Sequence, residues 1–284
     1  MRETGVEAVR ASRVSHHRRH VYGVDFSGAV DAGKKIWITN GVVEGESLRV
    51  EACYQGADLP GSGVERDRCL AALRDFIAEE MDSVFGLDFP LGLPAELVKA
   101  DTWEDFILSF PGQYASPEAF RESCRSATGG SELKRLTDRE SRTPFSPYNI
   151  RLYRQTYYGL RDVIAPLVRD QSACVLPMQT PLPGKPWVLE ICPASTLKRE
   201  FLYLPYKGKS AKHASARERI LEAIEQMAPL SVPKALRSVI LKDAGGDALD
   251  SAVAVFAAFR TLYNSGDLIV GSTHTYALEG YVYV

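Results

Sequence analysis

Short apolar runs alternate with amphipathic stretches along most of this chain. Val21-Tyr22-Gly23-Val24 predicts a buried strand over 21–26, followed by Ser27-Gly28-Ala29 and a loop through Gly33. A second strand is expected from Lys35 to Asn40, around Ile36, Trp37 and Ile38, and a third near Leu48 to Tyr54. The connections are short and carry Gly28, Gly33, Gly41 and Gly45, which points to an antiparallel meander. Over residues 64–81, Leu70, Leu73, Ile77 and Met81 recur at helical spacing. A fourth strand, 84–88, runs into Asp88-Phe89-Pro90-Leu91-Gly92-Leu93-Pro94, where two prolines and a glycine forbid continuation.

The middle of the chain is more polar. Short helices are expected near 103–110 and 117–126, and a longer one over 147–169, with Tyr153, Tyr157, Leu160, Ile164 and Leu167 on its core face. Strands follow near 173–178 and 187–192, then helices near 214–227, 233–242 and 247–263. One or two short strands are expected around Leu268-Ile269-Val270 and Tyr281-Val282-Tyr283-Val284. This order predicts an α/β protein: a mixed five-stranded sheet with helices on both faces and a helical insertion over about 95–170. Residues 1–20, with His16-His17-Arg18-Arg19-His20, read as a flexible polar lead-in to a single domain over 21–284.

Composition narrows the function classes. A length of 284 residues suffices for a full hydrophobic core. A net charge of −2 gives no global field toward a nucleic acid or a membrane. The five cysteines form no CxxC pair, which fits reduced thiols in a cytoplasmic protein. No apolar run reaches membrane-spanning length, so no membrane partner is expected.

The chemistry lies in carboxylates at the ends of apolar segments. Asp25 closes the first strand, Asp88 the fourth and Glu190 the run Trp187-Val188-Leu189, while Asp247 and Asp250 open an apolar helix. A charge at the end of a buried strand is costly unless it is paired. Several charges of one sign at one sheet edge repel, and a hard divalent cation is the simplest remedy. In sheets of this kind ligands sit at the carboxyl ends of the strands, where Asp25, Asp88 and Glu190 fall. Each acid also has a bland role open to it. Asp247 could cap its helix with Asp250 complementing the dipole. Asp25 could form an Asx turn with Ser27 and Gly28, Asp88 could form a turn ahead of Pro90, and Glu190 could pair with an arginine.

One apparent motif does not hold. Gly28-Ala29-Val30-Asp31-Ala32-Gly33-Lys34-Lys35 is one residue from a phosphate-binding P-loop. Lys35 stands where a hydroxyl is needed, and Ile36-Trp37-Ile38-Thr39 predicts a strand where a helix should start.

Four segments carry a resemblance: Gly23-Val24-Asp25-Phe26-Ser27-Gly28, Gly86-Leu87-Asp88-Phe89-Pro90-Leu91-Gly92-Leu93-Pro94, Glu190-Ile191-Cys192-Pro193 and Asp247-Ala248-Leu249-Asp250-Ser251-Ala252. Together they resemble the predicted RNase H-like nucleases of domain-of-unknown-function family 429. The last also resembles the final helix of RNase H-like Holliday-junction resolvases. The resemblance covers residues 21–262 and implies an RNase H-like fold in which Asp25, Asp88 and Asp250 hold divalent metal, with Asp247 and Glu190 in or beside the shell. The implied activity is two-metal hydrolysis of a phosphodiester with Mg2+ or Mn2+. Two segments depart from the family pattern: Phe26-Ser27-Gly28-Ala29 replaces a Gly/Arg/Cys-rich stretch, and Glu-Ile-Cys-Pro replaces Glu-x-His-Pro-Glu.

Basic residues supply candidates for holding DNA or RNA. Residues 121–161 contain nine Lys/Arg against four acids. On the 147–169 helix Arg151, Arg154, Tyr158 and Arg161 share a face, a pattern that suits phosphates and a stacked base, though an ordinary solvated face would look the same. Lys207 and Lys209 precede the 214–227 helix and could contact phosphate. Two other functions stay open: a phosphotransferase or ATPase of the actin and sugar-kinase type, and a non-catalytic RNase H-like binding module. The first would need a second Gly-rich phosphate loop, and Thr180-Pro181-Leu182-Pro183-Gly184 is too proline-rich to serve.

Overall fold

The glycine-punctuated start of the chain folds as the meander its turns require. Strand β1 (His20–Asp25) pairs antiparallel with β2 (Trp37–Glu44), and β2 with β3 (Ser47–Gln55). The computed structural model describes residues 18–264, 268 and 273–284. After helix α1 (Arg66–Glu79), β4 (Ser83–Asp88) lies parallel to β1. Beyond the insertion come β5 (Cys174–Val175) and β6 (Trp187–Ile191), which is parallel to β4. Two short strands, β7 (Leu230–Ser231) and β8 (Val282–Tyr283), add to β3 and β6. The sheet is therefore mixed and eight-stranded, in the order β5-β6-β4-β1-β2-β3-β7 with β8 also on β6. The five expected strands are its centre. The three additions are two residues each: β5 and β8 fall within the stretches expected as strands near 173–178 and 281–284, while β7 is too short to carry an alternating signal of its own.

Side-chain alternation sorts the central strands onto two faces. Tyr22, Val24, Phe85, Leu87 and Val188 face α1, α2 (Trp103–Gln113) and the insertion helices beyond α3 (Pro117–Ala127) and α4 (Leu136–Glu140). Those are α5 (Tyr153–Tyr158), a π-helical segment (Gly159–Ile164) and α6 (Ala165–Arg169). Val21, Val84, Trp187, Leu189 and Ile191 face the C-terminal helices. These are α7 (Pro193–Arg199), α8 (Ala211–Met227), α9 (Lys234–Lys242) and α10 (Asp247–Tyr263), while α11 (His274–Glu279) packs against α2 and α4. Burial along α10 is uninterrupted from Ala248 to Phe259, as expected of a helix covered on several sides.

Two glycines let α10 sit directly on the sheet. Gly23 and Gly86 are register partners on β1 and β4. A Cβ on Gly23 would stand 2.1 Å from the Ser251 carbonyl oxygen and 2.2 Å from the Val255 nitrogen. One on Gly86 would stand 2.7 Å from Ile191 Cγ1 and 3.1 Å from the Ala254 oxygen. Thr39, opposite Gly23, fixes the contact with a 2.7 Å hydroxyl–hydroxyl hydrogen bond to Ser251.

The expected 147–169 helix differs in two ways. It begins only at Tyr153, because residues 146–152 turn on Ser146 and Asn149 carbonyls and on the Asn149 side chain. It also widens into the π segment. Pro166 has no N–H with which to continue the α ladder, and Gly159 admits the Phe89 ring where a Cβ would lie 2.3 Å away. Met81 lies beyond the end of α1 and is exposed, while Leu70, Leu73 and Ile77 are buried as expected. The lead-in is shorter than expected, since His20 opens β1 and Arg18 is buried. The Arg18 guanidinium lies 4.0 Å over the Trp187 ring and donates to the Ser83 carbonyl at 2.9 Å. Residues 1–17 and Ile269-Val270 lie outside the described residues.

Candidate functional site

Asp25 and Asp88 end β1 and β4 as register partners, directly across from one another. Each is two residues beyond its glycine, so both project to the face that α10 covers. Seating α10 on Gly23 and Gly86 brings its first turn, with Asp247 and Asp250, to these two acids. The glycine pair therefore builds the site as well as the packing.

Capping does not account for the helical acids. Gly246, with φ of +83°, holds the N-cap position, and Asp243 does the capping: its carboxylate accepts from the Ala248 N–H at 3.0 Å and the Gly245 N–H at 3.1 Å. The buried Asp250 instead accepts from the Tyr206 hydroxyl at 2.5 Å and from the Lys207 ammonium at 2.6 Å. Lys207 also lies 3.3 Å from Asp247. Among the described residues no hydrogen bond reaches the carboxylate of Asp25 or Asp88, so neither forms the turn open to it from sequence.

Burial and mutual repulsion set the electrostatics. Asp25 is held well above the ordinary carboxylate range by burial and then by the charges of Asp250, Asp88 and Asp247. Asp88 is raised by burial and by Asp250. Burial also raises Asp250, against the opposing pull of Lys207. Burial alone would lower Lys207, but the Asp250 and Asp25 charges push it up. Tyr206 is raised by burial and Asp250 and keeps its proton.

The four aspartates line a cavity of about 910 Å³. Its opposite wall comes from the insertion, where Gly28 lets the loop after β1 abut α5: a Cβ there would lie 2.7 Å from the Arg154 carbonyl oxygen. Gln155 locks this junction by donating to the Phe26 carbonyl. Arg151 and Arg154 line the wall, with Arg151 over Phe145 at 5.5 Å and Arg154 paired with Glu118 at 2.9 Å.

Four of the expected residues stand apart from the aspartate cluster. Glu190 touches the cavity but alternates onto the opposite face from Asp25 and Asp88, because Leu87, not Asp88, is its register partner. Its oxygens accept from Arg135 at 2.5 and 2.7 Å and from the Leu91 N–H at 2.8 Å, the arginine pairing left open above. Tyr158 and Arg161 do not line the cavity. Arg66 covers the Tyr158 ring at 3.7 Å, and Arg161 pairs with Asp162 at 2.7 Å, the π segment having broken the helical phase that would align it with Arg154. Lys209 is exposed and off the cavity lining, whereas Lys207 lies within it.

Several residues of the site were not legible in the sequence. Tyr206 is one, although its place beside Lys207 was a usable cue. Arg135 is another: it is fully buried between Glu190 and Asp138, an i,i+3 pair hidden in a charged run. Lys35 and Tyr203 also line the cavity. The rejected P-loop segment forms a short 3-10 turn, Ala32–Lys34, and then β2. Among the described residues no three His, Cys, Asp or Glu side chains stand as a closed metal-ligating group; a lysine meets the acids instead. No helix among the described residues is long and apolar enough to cross a membrane. In comparisons with protein-family models, curated proteins and solved structures, nothing matches this chain.

Proposed function

We propose that this protein is a divalent-metal-dependent nuclease of RNase H-like fold. The carrying observation is the convergence of Asp25, Asp88, Asp247 and Asp250 on one cavity, the first and last buried and the other two half-buried, with Lys207 as their charge partner. A meander, a helix, a parallel strand, an insertion, a second parallel strand and a C-terminal acidic helix form the order that supports the fold.

The donor set suits Mg2+ or Mn2+, since it is all carboxylate oxygen and two of its members accept no hydrogen bond among the described residues. Asp25, Asp88 and Asp250 would hold the metal, with Asp247 beside them; Glu190, on the other face, is left out of the set. Bound there, metal would supply an activated water and charge stabilisation for a leaving oxygen. The chain's own contributions are separate. Lys207 neutralises Asp250 and is placed to meet phosphate when released from it. Tyr206 orients Asp250, and Arg151 and Arg154 offer cationic contacts across the cavity.

The test is cleavage of end-labelled single-stranded, duplex and branched DNA and RNA with Mg2+ or Mn2+. Wild type should cleave at least one of these, and Asp88→Asn should lose cleavage while still binding. Cleavage that survives Asp88→Asn under saturating substrate would reject the assignment. ATP turnover without nuclease activity would move it to the phosphotransferase class.

A further inference from the structure

Helix α7 ends in an arrangement that sequence economy does not explain. The Leu202 N–H returns to the Leu197 carbonyl at 2.7 Å and the Phe201 N–H to the Lys198 carbonyl at 3.2 Å, a Schellman turn. The left-handed position of that turn favours glycine, yet it is filled by Phe201, at φ of +58°. Packing does not compensate, because Phe201 is 93% exposed. Leu202 turns into the core, and Tyr203, 52% exposed, emerges again on the cavity lining. Lys198 lies 5.1 Å from the Tyr203 ring and donates to the Arg142 carbonyl, and Lys207, paired with Asp250 and Asp247, lines the same cavity as Tyr203. A strained, exposed aromatic that stabilises nothing in the fold marks a surface kept for a ligand.

We propose that Phe201 and Tyr203 form a stacking platform for the unpaired bases of a single-stranded nucleic acid whose backbone passes the carboxylate cavity. Aromatic rings beside cations are what such strands require: each base offers a π face, and the phosphates follow the positive charges. Paired bases in a duplex present no free face to the platform. The proposal rests on the nucleic-acid reading above and specifies the substrate as single-stranded or frayed. It concerns binding, so it can be tested apart from hydrolysis.

The experiment measures fluorescence anisotropy of a labelled twelve-nucleotide oligothymidylate and of a blunt duplex, in chelator, on the full chain, with melting curves alongside. Phe201→Gly should raise Tm by about 2–4 °C, because it relieves the left-handed strain. The same change should weaken single-strand binding by about 5- to 150-fold, the loss expected for one stacked base. Duplex binding should not move. Tyr203→Ala should act in the same direction, and Phe201→Trp should retain the affinity. Single-strand affinity within twofold of wild type in both Phe201→Gly and Tyr203→Ala would overturn the platform, while metal-dependent cleavage by those variants would leave the nuclease assignment standing. Platform-dependent binding with no cleavage by wild type would have the opposite meaning. A wild type that binds no single strand, or a Phe201→Gly chain that loses stability, would also overturn the platform and turn the search to a protein partner for this rim.

Discussion

Replacing Gly23 by alanine tests how the site is assembled. The added methyl would meet Ser251 O at 2.1 Å and Val255 N at 2.2 Å, both backbone atoms of α10. A carbon–oxygen contact needs more than 3 Å, so helix and strand must separate by about 1 Å. A gap of that size forfeits a quarter to a half of the dispersion energy at each contact along a helix buried from Ala248 to Phe259. Rotation gives no escape, since the Thr39–Ser251 hydrogen bond would break with it. The expected loss is about 3–5 kcal/mol, at the upper end for overpacking. Gly86→Ala should cost less, about 1–3 kcal/mol, because its nearest obstacle is the movable Ile191 side chain at 2.7 Å. Urea unfolding with a common m-value would measure both. The reasoning fails if Gly23→Ala costs under about 1 kcal/mol, or if Gly86→Ala proves the more damaging of the two. Where Gly86→Ala folds, any cleavage by it should also fall, as Asp250 is drawn back from Asp25 and Asp88.

The remaining predictions concern charge. Asp25 and Asp88 titrate above their unfolded values, so in chelator their contribution to stability is intact below about pH 4 and is lost as pH rises through the elevated native values. Asp25→Asn should flatten that decline, raise the metal-free Tm at neutral pH by a few degrees and shrink the rise in Tm that Mg2+ or Mn2+ produces; identical melting with chelator and metal would count against the site. Arg135→Met leaves Glu190 and Asp138 buried without a partner and should cost about 3–5 kcal/mol in urea titrations. In salt titrations of oligonucleotide binding, Arg151→Ala should flatten the slope by about 0.7–0.9 unit and Arg161→Ala should leave it unchanged, because only Arg151 lines the cavity.

Strong local signals read correctly. The meander, the proline-terminated β4 and α10, apolar from Ala252 to Phe259, fell where their patterns put them, because burial on one or two faces forces a period that survives in the sequence. Asp25, Asp88 and Asp247 fall at element ends for the same reason, whereas Glu190 lies within β6 rather than closing it. Two kinds of information were not local. Which face Glu190 takes depends on its register against β4, fixed by pairing across the insertion and absent from the Trp187–Ile191 run itself. That Arg135 would meet Glu190 depends on a contact between residues 55 apart in the chain. The phase of Arg161 was lost to a third cause, a non-α turn at Gly159–Ile164 that helical periodicity assumes away.

That turn has a consequence for how the cavity wall is held. A π segment holds one residue more than an α-helix needs, which amounts to about 100° of winding. It behaves like a vernier between two anchored ends: Phe89 seated against Gly159 on one side and Leu167 in the core on the other. Loss of a single codon here would set the core contacts of α6 against those of Tyr153 and Tyr157 in α5, which Gln155 and Gly28 hold to the loop after β1. The extra residue thus lets both anchored stretches of the cavity wall keep their seats at once.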